Sequence, residues 1–318
     1  MVDIQAEHLL PEIRPLLQLT DSERIMHIEK DNWIGYSRAR QVLNKLQALY
    51  SHPQRQRMPN LLIIGPTNNG KSMIIEKFCR DYPPIKEKFK PTYNYRIEER
   101  DVLVELPILS VQMLPAPDIR RFYRTIFDKI RAGGGFETML LHASPLEDNV
   151  IKVLTHFKVK MLIIDEIHNV LAGRNDKQHE FLNALRYLGN ALKIPIVCVG
   201  TKDAYLAIRS DAQLENRFEP FLLSAWKASQ EYESLLASLM AILPLKFPSN
   251  LNHPPLSRYI LEKSDGILGE IFTLVRRAAV MAIHSGREMI DENLLKEIDY
   301  HSPTERIRLF ERHIAGAA

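Results

Sequence analysis

Two hydrophobic periods alternate along the first two thirds of the chain. Leu61-Leu-Ile-Ile64, residues 103–111, Met161-Leu-Ile-Ile164, residues 194–200 and Phe221-Leu-Leu223 are short apolar runs. Runs of this length, bounded by turn residues, read as buried strands. Between them the apolar positions recur at helical spacing. Val42, Leu43, Leu46 and Leu49 form one stripe, and Phe181, Leu182, Leu185, Leu188 and Leu192 form another. Ile119, Phe122, Tyr123, Ile126, Phe127 and Ile130 form the clearest one, with Asp118 placed to cap its helix. Strands that alternate with helices imply a five-stranded parallel sheet covered on both faces, an α/β fold. After Trp226 no strand pattern recurs. Helices are predicted over 232–243, 257–263, 268–284 and 292–298, separated by prolines and glycines, and together they make a small helical domain. The start, with Pro11 and Pro15, reads as an arm outside any core, followed by a helix capped by Asp21 or Ser22. The expected division is an arm over 1–22, an α/β domain over 23–225, a helical lid domain over 226–300 and a charged tail over 301–318. The polar, basic segment 83–100 reads as a surface loop or hairpin, and Gly133-Gly-Gly135 as a helix C-cap.

Composition adds mainly exclusions. With 45% hydrophobic and 25% charged residues, the chain is an ordinary globular one. The net charge of +3 is too balanced to argue for nucleic acid, so any such contact must come from local clustering. Cys79 and Cys198 have neither metal-site nor disulfide-framework spacing. No apolar run reaches membrane-spanning length and no leader pattern opens the chain, so the sequence predicts a cytoplasmic protein without a membrane partner.

The first apolar run leads into Gly65-Pro-Thr-Asn-Asn-Gly-Lys-Ser72, and Met73, Ile74, Ile75 and Phe78 continue as a helix. Strand, G-x-x-x-x-G-K-[ST] and helix together are the context of a phosphate-binding loop. The loop of Gly65, Pro66, Thr67, Asn68, Asn69 and Gly70, with the helix start through Met73, would curl backbone N–H groups around phosphate. Lys71 would reach the β- and γ-phosphates of ATP, and the Ser72 hydroxyl would ligate Mg²⁺. Ile34 and Tyr36 are candidates for an adenine pocket or for plain core packing. The third apolar run ends in Asp165-Glu166. Asp165 is placed to hold the metal shell, and Glu166 to orient an attacking water, which argues for hydrolysis over phosphate transfer to a hydroxyl. Thr201, after the next run, would contact the γ-phosphate or the water, or cap a turn. Arg217 would act as an arginine finger toward a neighbour's site, or form a surface ion pair. His168 suits packing or hydrogen bonding better than catalysis.

With these residues in place, the chain resembles the AAA+ ATPases of transposition, the TniB/TnsC family. The likeness runs from about 23 to 291 and rests on four stretches. They are Arg57-Met-Pro-Asn-Leu-Leu-Ile-Ile-Gly-Pro-Thr-Asn-Asn-Gly-Lys-Ser72, Leu162-Ile-Ile-Asp-Glu-Ile-His-Asn-Val-Leu-Ala-Gly173, Val199-Gly-Thr-Lys-Asp-Ala204 and Arg217-Phe218. The resemblance implies an αβα P-loop NTPase core with a helical lid, and ATP-dependent rings or helical filaments on double-stranded DNA. It implies a link between a TniQ-like target selector and a TniA/TnsB-like DDE transposase. It also implies Walker A roles for Lys71 and Ser72, Walker B roles for Asp165 and Glu166, a sensor role for Thr201 and a finger role for Arg217. The pattern departs at Glu270, which stands about where many such lids carry a sensor arginine, while Arg276 and Arg277 come later. For DNA the candidates are Lys86, Lys88, Lys90, Arg96, Arg120, Arg121 and Arg124, which equally describe solvated basic faces. A replication initiator or helicase loader of the same class, and a signalling NTPase that does not touch DNA, are the competing functions.

Overall fold

The computed structural model describes residues 6–30, 33–89, 100–134 and 145–316. The chain opens with α1 (Asp21–Glu29), α2 (Ser37–Tyr50), β1 (Asn60–Ile64) and α3 (Lys71–Asp81). It continues with β2 (Ile85–Phe89), β3 (Arg100–Glu105), β4 (Ile108–Gln112), α4 (Ile119–Ala132) and α5 (Leu146–His156). Next come β5 (Met161–Asp165), α6 (Asn175–Leu192), β6 (Ile196–Gly200), α7 (Lys202–Arg209), α8 (Ala212–Glu215) and β7 (Phe218–Leu222). The last elements are α9 (Gln230–Ile242), α10 (Pro254–Lys263), α11 (Leu268–His284), α12 (Glu292–Glu297) and α13 (Pro303–Gly316). Two compact units result. One holds 41–67 and 71–223, and the other holds 1–40, 68–70 and 224–318.

The first unit is built on a parallel sheet of order β4-β5-β6-β1-β7. Its inner strands are buried on both faces, which is why Leu61–Ile64, Met161–Ile164 and Ile196–Val199 are unbroken apolar runs. Pro220 cannot donate to a ladder and falls on the edge strand β7. Helix α4 starts at Asp118, whose carboxylate accepts from the Arg121 N–H at 3.0 Å, and buries its Phe122–Ile130 stripe. Phe122 meets Phe181 of α6 edge to face, with centroids 5.0 Å apart. Gly133 is the C-cap of α4, as its sequence suggests.

The run 103–111 is not one strand. β3 pairs antiparallel with β2 in a separate ribbon, and β4 joins the sheet beside β5. Pro107 lies between them. It has no N–H, and its carbonyl accepts from Lys160 and Met161 instead, so the chain changes partners there. The segment read as a loop or hairpin supplies β2 of that ribbon.

The second unit is helical. Its sequence start is not an arm apart from a core: Leu9, Ile13 and Leu17 are buried and pack with Leu16 and Ile242. The Leu10 N–H donates to the Ala241 carbonyl at 2.9 Å. Helix α1 is capped by Thr20, not by Asp21 or Ser22, because Thr20 and Glu23 bond each other's backbone N–H groups in a capping box. Arg24 of α1 is 1% exposed and donates to both Glu288 oxygens, at 2.6 and 2.8 Å, and to the Pro244 carbonyl at 3.0 Å. Among the described residues no helix is long and apolar enough to cross a membrane.

Candidate functional site

In the sheet unit, Gly65, Lys71, Ser72, Asp165, Glu166 and Thr201 lie at or after the C-terminal ends of β1, β5 and β6. Parallel α/β sheets bind ligands outside these ends. Gly65 leaves β1 where a Cβ would stand 2.6 Å from the Leu223 carbonyl oxygen, so only glycine fits. Lys71 opens α3 and is 6% exposed. Its Nζ donates to the carbonyls of Gly65 at 3.0 Å and Pro66 at 2.7 Å. Burial pulls the Lys71 pKa down, and the charges of Glu166 and Asp165 oppose that shift. Ser72 Oγ donates to Asp165 Oδ2 at 2.6 Å, joining two residues far apart in sequence. The other Asp165 oxygen accepts from the Glu166 N–H at 2.8 Å. Glu166 holds a left-handed backbone, φ 57°, which non-glycine residues adopt at a cost of order 1–3 kcal/mol and which clusters at functional sites. His168 Nδ1 lies 3.1 Å from Glu166 Oε2 but is buried and makes no aligned hydrogen bond. Thr201 follows β6. Its hydroxyl is buried, bonds no protein group and does not cap α7, against the turn-capping alternative.

In the helical unit, Asn68, Asn69 and Gly70 rest on the first turn of α11. The Asn68 carbonyl accepts from the Gly269 N–H at 2.9 Å. A Cβ on Gly269 would lie 2.1 Å from Asn68 Oδ1, so the Asn68 side chain packs in the space that glycine leaves open. Asn69 is 3% exposed, accepts from the Leu268 N–H at 3.1 Å and donates to the Ser224 carbonyl at 3.2 Å. Its side chain braces the loop tip, a role the motif alone does not reveal. Tyr36 is buried edge-on to Trp226, centroids 5.2 Å apart, and burial pushes its hydroxyl up to about 12. It lines a cavity of about 280 Å³ with Gly35, Arg40 and Leu235. Ile34 is buried. Glu270 accepts from Asn68 Nδ2 at 3.4 Å, from Arg306 Nη2 at 2.6 Å and from the Tyr300 hydroxyl. Burial raises its pKa, but these donors win and leave it below the usual carboxylate range. Thus Arg306, from α13, supplies a cation at the head of α11. Arg276 turns to the Lys30 carbonyl at 2.9 Å, and Arg277 lies over the Tyr300 ring.

Arg217 lies elsewhere. Its carbonyl accepts from the Asn60 N–H at 3.0 Å and its Nη1 donates to Asn190 Oδ1 at 2.8 Å. It therefore sits where β1 begins, while the phosphate loop follows where β1 ends. Five residue steps separate Asn60 from Gly65, roughly 16 Å of strand. That is further than an arginine side chain reaches. The basic candidates do not form one patch either. Arg120, Arg121 and Arg124 are exposed on the first turns of α4. The ribbon that carries exposed Lys86 and Lys88 meets the far end of that helix, where the Leu103 N–H donates to the Gly134 carbonyl at 3.2 Å. Lys90 and Arg96 lie outside the described residues.

Sheet order, loop and helical region together define an AAA+ P-loop NTPase fold. The chain belongs to the bacterial TniB family, whose model matches residues 24–228. Among solved structures it is similar to the ORC2 protein of Aeropyrum pernix in its ADP form, at 14% identity and TM-score 0.55, over 86% of this chain and 71% of that one. It is also similar to Drosophila ORC bound to DNA, at 14% identity and TM-score 0.53, over 91% and 66%. The ORC1 protein of Aeropyrum pernix in complex with DNA gives 13% identity and TM-score 0.53, over 86% and 67%. At these identities the likeness establishes the fold. Comparison with curated proteins gives no match.

Proposed function

We propose that this protein binds and hydrolyses ATP, assembles into homo-oligomers on double-stranded DNA, and in that state regulates transposition. In this role it links a TniQ-like target selector to a TniA/TnsB-like DDE transposase. The observation that carries the nucleotide half is the meeting of Ser72 and Asp165 beside buried Lys71. Membership of the TniB family supports the transposition half. ORC proteins of the same fold have been solved with DNA, which supports a duplex as partner.

Each side chain has a distinct part in this reading. Lys71 exchanges the loop carbonyls for the β- and γ-phosphate oxygens, where its charge is better used. Adjacent hard oxygens on Ser72 and Asp165 fit Mg²⁺. The described residues hold no cluster of three or more His, Cys, Asp or Glu, so the remaining ligands would be phosphate and water. When bound, the ion neutralises charge on the phosphate oxygens. Glu166 accepts a hydrogen bond from the attacking water and orients it in line with the γ-phosphorus. The unpartnered Thr201 hydroxyl meets the γ-phosphate or the water. Gly65, Pro66, Thr67, Asn68, Asn69, Gly70 and Met73 shape the phosphate cradle, and Ile34 and Tyr36 form the apolar wall for the base. Arg217 works on the nucleotide of another copy. Lys86, Lys88, Arg120, Arg121 and Arg124, with Lys90 and Arg96, contact duplex phosphates.

DNA binding measured by fluorescence anisotropy, with and without ATP, tests this function. Wild type should bind duplex only with ATP, and Lys71→Ala should lose that dependence and the binding with it. Persistent ATP-dependent assemblies of Lys71→Ala on DNA would reject the site. ATP turnover without any DNA binding would favour a signalling NTPase.

A further inference from the structure

The stretch Arg57-Met58-Pro59-Asn60 precedes the phosphate loop in sequence but does not face it. It borders an open cavity of about 510 Å³ at the opposite end of β1. Arg55, Arg57 and Arg217 line that cavity together, with Met58, Gln213 and Asn216. No carboxylate is among the described residues that line it. Three arginines line one concavity, a concentration of positive charge that favours an anion there. The frame that holds them is tied at several points. Asn60 donates its N–H to the Arg217 carbonyl, and its Oδ1 accepts from the Ile196 N–H at 2.9 Å. The Arg55 N–H turns back onto the sulfur of buried Met58 at 3.2 Å. Arg217 is held by Asn190. The cavity therefore gathers three arginines on a fixed backbone, and guanidinium groups are suited to phosphate oxygens. Its volume lies within the usual range for small-ligand sites and admits a triphosphate tail. Because it sits at the start of β1, these side chains cannot reach the phosphate loop of their own chain.

We infer that this cavity receives the terminal phosphates of a nucleotide held by a second copy, and that Arg55 and Arg57 contact those phosphates beside Arg217. The inference rests on the ATPase-oligomer reading above and extends it to two residues before β1. It also gives the Arg57-Met-Pro-Asn60 stretch a purpose, because this stretch builds the half of the site that a subunit offers to its neighbour.

The test compares an Arg55→Ala/Arg57→Ala double variant with wild type. Both side chains are exposed, so the fold should persist, as a melting temperature verifies. At dilution the variant should bind a fluorescent ATP analogue within about twofold of wild type, since its own loop is untouched. At assembling concentrations, turnover per site should fall by about tenfold or more. An equimolar mixture with Glu166→Gln should regain part of that loss. The Glu166→Gln copy keeps its arginines, and the double variant keeps its water-orienting carboxylate. Gln213→Glu gives an independent readout. It preserves the acceptor that Arg186 uses at 2.7 Å and adds a negative charge to the cavity, so turnover in assemblies should drop. Unchanged turnover in the double variant overturns the inference, as does a loss that mixing does not restore. Weakened DNA binding with unaffected turnover assigns the cavity to duplex phosphates and also overturns it. The underlying reading fails on a different result, wild-type turnover per site that does not depend on protein concentration.

Discussion

Glu166 carries the sharpest expectation for a single side chain. Its left-handed backbone and the bond from its N–H to Asp165 set it beside the Ser72–Asp165 pair. Glu166→Gln keeps shape and size but removes the charge proposed to orient water. Turnover should fall by roughly 10²–10⁴-fold with ATP affinity nearly intact, and assemblies on DNA should dissociate more slowly. Steady-state ATPase and off-rate measurements check both halves. A second residue-scale prediction concerns stability. Glu288 is 5% exposed and takes hydrogen bonds from Arg24 and Lys246. Burial alone would raise its pKa, yet these cations hold it below the usual carboxylate range. A depressed folded pKa contributes stability that is complete above the unfolded value and is lost as pH falls through the folded one. Melting temperature should therefore drop on acidification below roughly pH 4, and Glu288→Gln should flatten that dependence. The same substitution leaves Asp21, at 2.7 Å, as the remaining carboxylate partner of Arg24 and should cost about 1.5–3 kcal/mol at neutral pH, as denaturant titration would measure.

Among the elements, α11 is the one that braces the tip of the phosphate loop within the helical unit. Gly269 lets its first turn approach Asn68, and Asn69 bonds its leading N–H. Gly269→Ala displaces the Asn68 side chain from the first turn of α11 and removes its bond to Glu270. ATP affinity should weaken severalfold or more, while the sheet unit keeps its melting behaviour; isothermal titration and circular dichroism read the two separately. The sequence carried much at this scale. Strands buried on both faces print as unbroken apolar runs, and α4 prints as a stripe with its cap. The division of 103–111 into β3 and β4 was not legible, because Pro107 interrupts pairing without interrupting hydrophobicity. Residues 6–17 misled for the opposite reason. Prolines and scattered leucines look like a linker when the surface they cover, around Ile242, is more than two hundred residues away.

For the whole molecule, local motifs revealed the phosphate loop with its carboxylates and left the arginine cavity unread. Gly65 to Ser72 is contiguous, and Asp165-Glu166 ends a recognisable strand, so both could be read in order. Arg55, Arg57 and Arg217 converge only after β1 and β7 pair, and no periodicity announces that. The basic stripe on α4 bears on binding by the assembled protein. Arg120→Glu with Arg124→Glu should reduce duplex affinity and lower the slope of log affinity against log salt by about two; an unchanged slope would leave that face merely solvated. A last consequence follows from the tie between Arg306 and Glu270. Glu270 touches Asn68, so a single carboxylate separates the final helix from the phosphate loop. The two native thiols are poor targets for labelling, since burial pushes Cys79 up to about 11 and Cys198 further still. An Arg308→Cys substitution on the exposed face of α13 would then accept an environment-sensitive dye selectively. Its emission should change when nucleotide reaches the loop, and Arg306→Ala should silence that change, making the end of the chain an optical gauge of what its phosphate loop holds.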